Sequence, residues 1–200
     1  MKRTETCLAF LLGLALASCG PAEPASAGEA VPPAPSDPVD SIRQTYAAVQ
    51  AVLDAGTLRA DTLRETCRQQ DGELFLVRYF DGDRVRMMRA TTGTGHAFTT
   101  RRLYFDTAGR LVFALVQDEQ FRPVTAPGGE PSYESTYTDT RYYVSGGRVI
   151  RKLVKTYEEQ DWADNPDPET LPNTEVTVPE TAKFPDSDRV ADWKAGRVDC

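Results

Sequence analysis

The stretch Tyr79-Phe80-Asp81-Gly82-Asp83-Arg84-Val85 returns, altered, as Tyr104-Phe105-Asp106-Thr107-Ala108-Gly109-Arg110-Leu111 and again as Tyr142-Tyr143-Val144-Ser145-Gly146-Gly147-Arg148-Val149. Each copy has two aromatic residues, a turn rich in Gly or Asp, an arginine and then aliphatic residues. Gly and Asp accept the backbone angles of tight turns, and the flanking runs suit strands, so each copy reads as a β-hairpin. From about Thr62 onward the chain therefore reads as an antiparallel meander of six or seven strands. The copies start 25 and then 38 residues apart, and this unequal spacing of only three units excludes a solenoid. The extra length falls in residues 118–132, whose Pro123, Pro127, Gly128, Gly129 and Pro131 predict a long hairpin loop. Leu111 to Val116 is apolar on both faces and is expected at the centre of the sheet, with cover on both sides.

Ahead of the hairpins, Asp37-Pro38 has the chemistry of a helix start, and Ile42, Tyr46, Val49 and Leu53 form one apolar stripe before Gly56. After Lys155 the strand signal fades. Pro166, Pro168, Pro172, Pro179 and Pro185 interrupt the chain, and Asp188 to Lys194 has room for one short helical turn. The fold class expected is α+β: one N-terminal amphipathic helix on a curled antiparallel meander, then an irregular Pro-rich tail. The segments are a leader over 1–18, a Pro/Ala-rich linker over 19–37, the helix and meander over 38–156, and an acidic tail over 157–200. The tail is the candidate for the sheet's second cover.

The leader begins Met1-Lys2-Arg3, continues through an apolar run from Leu8 to Leu16 and closes on Leu16-Ala17-Ser18-Cys19. Charge, apolar core and small residues in that order make an export signal, too short for a permanent span. The ending resembles the lipobox of bacterial lipoproteins. That resemblance covers the leader alone and implies cleavage before Cys19 and acylation of its thiol. Several acyl chains, at about 0.8 kcal/mol per buried methylene, make a stable anchor. Gly20 in place of Asp implies an outer-membrane lipoprotein facing the periplasm if the source is a diderm bacterium. An ordinary secretory signal is the alternative.

The 200 residues carry a formal charge of −7, which argues against nucleic acid as a general partner. The charge is uneven: residues 59–156 sum to +4 and residues 157–200 to −8. An Arg-rich body thus stands beside an acidic tail, which either covers it or leaves it open. Once Cys7 leaves with the leader and Cys19 is lipidated, Cys67 and Cys200 remain as a possible disulfide in an oxidising compartment. Closing so long a loop would contribute about 4–5 kcal/mol at most.

Arginines alternate with apolar residues on the predicted strands, namely Arg84 and Arg86, Arg101 and Arg102, Arg148 and Arg151. Guanidinium forks recognise carboxylates and phosphates, so these are the candidate anion- or partner-binding residues. Tyr133, Tyr137 and Tyr143 share one strand face and add flat contact area beside them, Tyr137 and Tyr143 being the closer candidates. The competing reading is that these arginines are exposed strand residues neutralised by the tail. His96, in Thr94-Gly95-His96, has no nucleophile nearby in sequence and reads as a turn residue. Asp161, Asp164, Asp167 and Glu169 are spaced unlike a calcium loop, and no Cys/His cluster exists for zinc. Neither cofactor nor metal is expected.

The functional expectation is a non-catalytic binding or scaffolding module, held in the cell envelope by lipid on Cys19. Its partner would be an envelope protein or an anionic glycan or lipid. The alternative is a carrier of lipid or a small apolar ligand, which needs a cavity not filled by Phe75, Leu103, Phe113 and Leu115. A hydrolase built on Asp106 or Asp118 ranks third.

Overall fold

The computed structural model describes residues 37–67 and 72–198; the leader with its lipobox, the linker before Asp37, and Cys200 lie outside the described residues. Eight strands follow one another as β1 (Arg59–Cys67), β2 (Gly72–Asp81), β3 (Arg84–Thr94), β4 (Ala97–Phe105), β5 (Leu111–Thr125), β6 (Pro131–Ser145), β7 (Arg148–Gln160) and β8 (Thr174–Val176). They pair in sequence order, every pair antiparallel, in one sheet that does not close on itself. Two helices accompany it, α1 (Pro38–Asp54) and α2 (Ser187–Lys194). No helix among the described residues is long and apolar enough to cross a membrane.

Three sequence expectations need correction. The sheet has eight strands rather than six or seven, and β7 runs through Gln160, past the expected boundary at 156. Residues 118–132 are not a loop: β5 and β6 stay in register out to Thr125 and Pro131, and the turn is confined to residues 126–130. The prolines are tolerated there because β4 stops pairing with β5 at Gln120, so Pro123 lies where β5 has a partner on one side only. The tail is less irregular than its prolines imply, since it holds a 3₁₀ turn at Pro168–Thr170, the short β8 and the two-turn α2.

The hairpin repeat has a structural meaning beyond its turns. Register shifts fall at Tyr79/Phe80, Tyr104/Phe105 and Tyr143/Val144, one in each copy, where the aromatic pair meets the turn. In every case the residue before the shift joins the layer under α1, and the residue after it joins the layer on the opposite face. Tyr79, Tyr104 and Tyr143 therefore gather with Met87 and Phe113, while Phe80, Phe105 and Val144 gather with Val85, Leu111 and Val149. In the last copy the chain reverses at Gly146 and Gly147, both at positive φ, which a two-residue primed turn requires.

Each layer has its own cover. The Asp37 carboxylate accepts from the Val39 N–H at 2.8 Å and starts α1, whose Ile42 and Val49 are buried against the tyrosine layer. Tyr46 of α1 meets Tyr104 and Phe113 edge-on, with centroids 4.9 and 5.2 Å apart. On the other face the tail supplies Phe184, Val190 and Trp193, which pack with Leu74, Leu76, Met88, Leu103 and Ala114. Trp193 is 1% exposed, so α2 is part of the core. Trp193→Ala should cost about 3–5 kcal/mol, read as a lower denaturant midpoint with the same slope. A change below about 1 kcal/mol would mean that the tail is an accessory to a core complete without it.

Candidate functional site

The two faces are covered unequally. On the α2 face the half-buried arginines are tied down: Arg78 pairs with Asp61 at 2.7 Å and donates to the Lys194 carbonyl, and Arg101 pairs with Asp186 at 2.7 Å and donates to Thr92. On the opposite face α1 covers only the end of the sheet nearest the repeat turns. Beyond it, residues directly opposite on neighbouring strands form rows. One row holds Val77, Arg89, Arg102, Leu115, Arg141 and Leu153, and the next holds Phe75, Thr91, Thr100, Gln117, Asp139 and Lys155. Further out, Phe98 stacks on Phe121 (centroids 5.9 Å apart), and Phe121 meets Tyr133 edge-on at 5.8 Å. Phe75, Phe98 and Tyr133, all on this face, are the exposed large aromatic side chains.

The sequence-derived arginines do not form one face. Arg101 and Arg102 are consecutive in β4 and so point to opposite sides, the first into the closed face and the second onto the open one. Arg86 reaches Asp81 at 3.3 Å, Arg84 donates to the Thr107 carbonyl, and Arg151 pairs with Glu175 at 2.9 Å. Arg148 is exposed at the rim of its hairpin. Tyr143 is buried against Phe113 beneath α1, whereas Tyr137 stacks on Tyr157 and donates to Glu119. The tail thus neutralises some arginines, Glu169 also pairing with Arg141 at 3.2 Å, and leaves Arg102 alone.

Two groups escaped the sequence reading. The first is Arg89, directly opposite Arg102 on the neighbouring strand, both half-buried. Neither has a hydrogen bond or ion pair among the described residues, although the chain is rich in carboxylates and the nearby Arg64 takes Glu73 at 2.6 Å. Thr91 and Thr100 lie one position further along the same pair of strands, with hydroxyls 3.2 Å apart. Arg64, Glu73, Phe75 and these four residues line an open concavity of about 490 Å³. The turn at Gly95-His96 sets this register, so the Arg89–Arg102 pairing was readable by counting outward from it.

The second group is buried. Lys155 and Asp139 are each 4% exposed and 4.0 Å apart; Lys155 donates to the Pro168 carbonyl of the 3₁₀ turn, and Gln117 donates to Asp139 at 3.0 Å and to Tyr157 at 3.1 Å. Burial and the Asp139 charge push the Tyr157 hydroxyl up to about 12. Lys155, Asp139 and Tyr157 each have a polar partner within the protein, which marks this as a structural network. The hydrolase candidates are likewise engaged. Asp118 accepts from Thr99 at 2.6 Å. Asp106 accepts from the Arg110 backbone and side chain; burial works to raise its carboxyl, but those bonds hold it below the ordinary value. His96 lies in the β3–β4 turn, edge-on to Phe121. Among the described residues, no three His, Cys, Asp or Glu side chains are placed to hold a metal ion.

The buried network carries a pH signature. Tyr157 releases its proton near pH 10 in the unfolded chain but only near pH 12 in the fold, so its contribution is intact below pH 10 and is lost as pH rises toward 12. Tyr157→Phe should remove that part of the alkaline decline in unfolding free energy; an identical decline would refute it. Lys155→Ala, which strands Asp139 uncompensated, should cost about 3–5 kcal/mol by chemical denaturation.

Compared with known proteins, the chain matches no family model, no curated protein and no solved structure, so its functional reading rests on geometry.

Proposed function

We propose that this chain is a lipid-anchored envelope protein that binds another envelope component, without catalysis, on the open part of its α1-bearing face. The observation that carries the reading is the inequality of the two faces. One is covered by the tail over its apolar part, has its half-buried arginines paired and shows polar side chains such as Asp118, Gln120 and Arg122 beyond that cover. The other extends past α1 with an uncompensated arginine pair and the exposed rings of Phe75, Phe98 and Tyr133. Exposed aromatics beside guanidinium groups are the residue types that dominate binding energy at interfaces. The lipobox resemblance supplies the anchor, and residues 19–37 supply the tether.

A carrier of apolar ligands fits less well, because Tyr46, Tyr104, Phe113 and Tyr143 fill the middle of the space between α1 and the sheet with ring contacts. The concavity of about 390 Å³ left at the N-terminal end of α1 also carries the polar Ser41, Asp106 and Arg110. Leu103 and Phe113 are buried in packed layers, and Leu115 lines a concavity shared with the charged Arg43, Arg141 and Glu169. The Cys67–Cys200 disulfide belongs to the same proposal. Cys67 is buried in the layer against which Val198 also packs, and two further residues span at most about 7 Å. Peptide mapping without reductant should recover the two cysteines linked; separate peptides would remove the bridge.

Cys19→Ser should move the chain from the membrane to the soluble fraction and abolish incorporation of labelled palmitate. Continued labelling would overturn the anchor. For the binding face, Phe98→Ala with Tyr133→Ala should leave stability within about 1 kcal/mol and remove in-cell crosslinks formed from Thr100. Crosslinks that persist unchanged would show that these rings do not hold the partner and would overturn the aromatic binding face.

A further inference from the structure

We infer that Arg89 and Arg102, with the hydroxyls of Thr91 and Thr100, form a site for a phosphate monoester group. The inference rests on the binding-face reading above and names the chemistry that the face would recognise. Like charges directly opposite on antiparallel strands oppose sheet formation, and natural sheets place a carboxylate nearby or avoid the pair. Here Arg89 and Arg102 occupy opposed positions, half-buried, without a carboxylate bonded to either. Among the described strands, every other half-buried arginine has an acid partner, Arg86 with Asp81 included. Arg78, Arg101, Arg141 and Arg151 each hold an acid, and three of those acids come from the tail. The strand arginines without an acid are otherwise exposed, as Arg59, Arg84 and Arg148 are, so this pair is set apart by being half-buried and uncompensated together.

The chemistry around the pair selects the anion. Glu73 cancels Arg64, so the concavity keeps a surplus of two positive charges, from Arg89 and Arg102. A carboxylate brings one negative charge and two oxygens in a plane. A phosphate monoester brings nearly two charges and three terminal oxygens, enough for two guanidinium forks and a hydroxyl. The threonine hydroxyls bond each other at 3.2 Å, which leaves one hydroxyl hydrogen free to turn toward an added acceptor. The ester substituent then lies against the exposed Phe75 ring at the rim. The same group could be the headgroup of an anionic lipid or part of a soluble phosphate ester.

The test reconstitutes the full chain in phosphatidylcholine nanodiscs and titrates inorganic phosphate, phenyl phosphate and acetate, reading affinity by calorimetry. Phenyl phosphate should bind at least about tenfold more tightly than acetate, and Arg89→Gln or Arg102→Gln should each weaken it by about tenfold or more. Acetate binding as well as phenyl phosphate, or affinity unchanged in both variants, overturns the site. Discs containing phosphatidic acid distinguish the sources: loss of phenyl phosphate binding there assigns the site to a lipid headgroup, and its retention to a soluble ester. In ligand-free protein Arg89→Gln should raise the thermal midpoint by removing a like-charge pair; a fall would show that the pair supports the fold and would overturn the site. A photocrosslinker at Ser135, opposite Phe121 on the same face but outside the concavity, reads the broader proposal separately. Capture of an envelope component there, with no phosphate binding, would leave the binding face standing and the phosphate site refuted.

Discussion

The two-layered core depends on the register shift beside each repeat turn. A regular strand sends consecutive side chains to opposite faces, so Tyr79-Phe80, Tyr104-Phe105 and Tyr143-Val144 each straddle the sheet. The extra residue beside each turn bends the strand locally and keeps each pair aligned with the others across the sheet. Three tyrosines thereby collect on one side and two phenylalanines and a valine on the other. Neither collection is hidden by the sheet itself. Two faces made apolar at the same end of one open sheet require two covers, and the chain supplies them from its two flanks.

That requirement explains the division of labour between α1 and the tail. The tyrosine layer is broad and flat, and a single helix with an aromatic stripe covers it through edge-to-face rings. The other layer extends further along the strands, to Leu74, Ala90 and Cys67, and takes Phe184, Val190 and Trp193 with flanking Val178 and Ala182. The tail brings acids with it. Asp186 satisfies Arg101 from the N-terminal end of α2, and the Lys194 carbonyl near its C-terminal end accepts from Arg78. On the α1 face the tail reaches only the β6–β7 side, where Glu169 and the Pro168 carbonyl meet Arg141 and Lys155. The β2–β4 side of that face lies beyond both covers.

What was legible in the residues was what local chemistry determines. Glycine-rich turns and period-two runs located the hairpins, because a turn needs only its own residues to form. The number of strands was underestimated because β8 is three exposed residues whose strand character comes from pairing with Lys152 to Val154. The prolines of residues 118–132 pointed to a loop because proline is excluded from interior strands; only the end of β4 at the turn makes that part of β5 an edge. The arginines were grouped by composition when parity was the informative quantity. Arg101 and Arg102 cannot share a face, and the bulges reset parity inside each repeat hairpin, so a face could be followed only across the bulge-free turns.

Within the β3–β4 hairpin parity does hold, and it leads to the least ordinary feature of the chain. Gly93 stands opposite Phe98, and a Cβ there would come within 2.2 Å of the ring. The glycine lets Phe98 lie across β3, which fixes the hairpin's register from the side chain as well as from the turn. With register fixed, Thr91 must face Thr100 and Arg89 must face Arg102. The opposed arginines therefore cannot slip apart by a residue to relieve their repulsion, because a slip would drive the Phe98 ring into a neighbouring residue's Cβ and turn Leu103 out of the core. A sheet that holds two cations together this firmly, while neutralising the cations around them, is preorganised for an anion that arrives from outside.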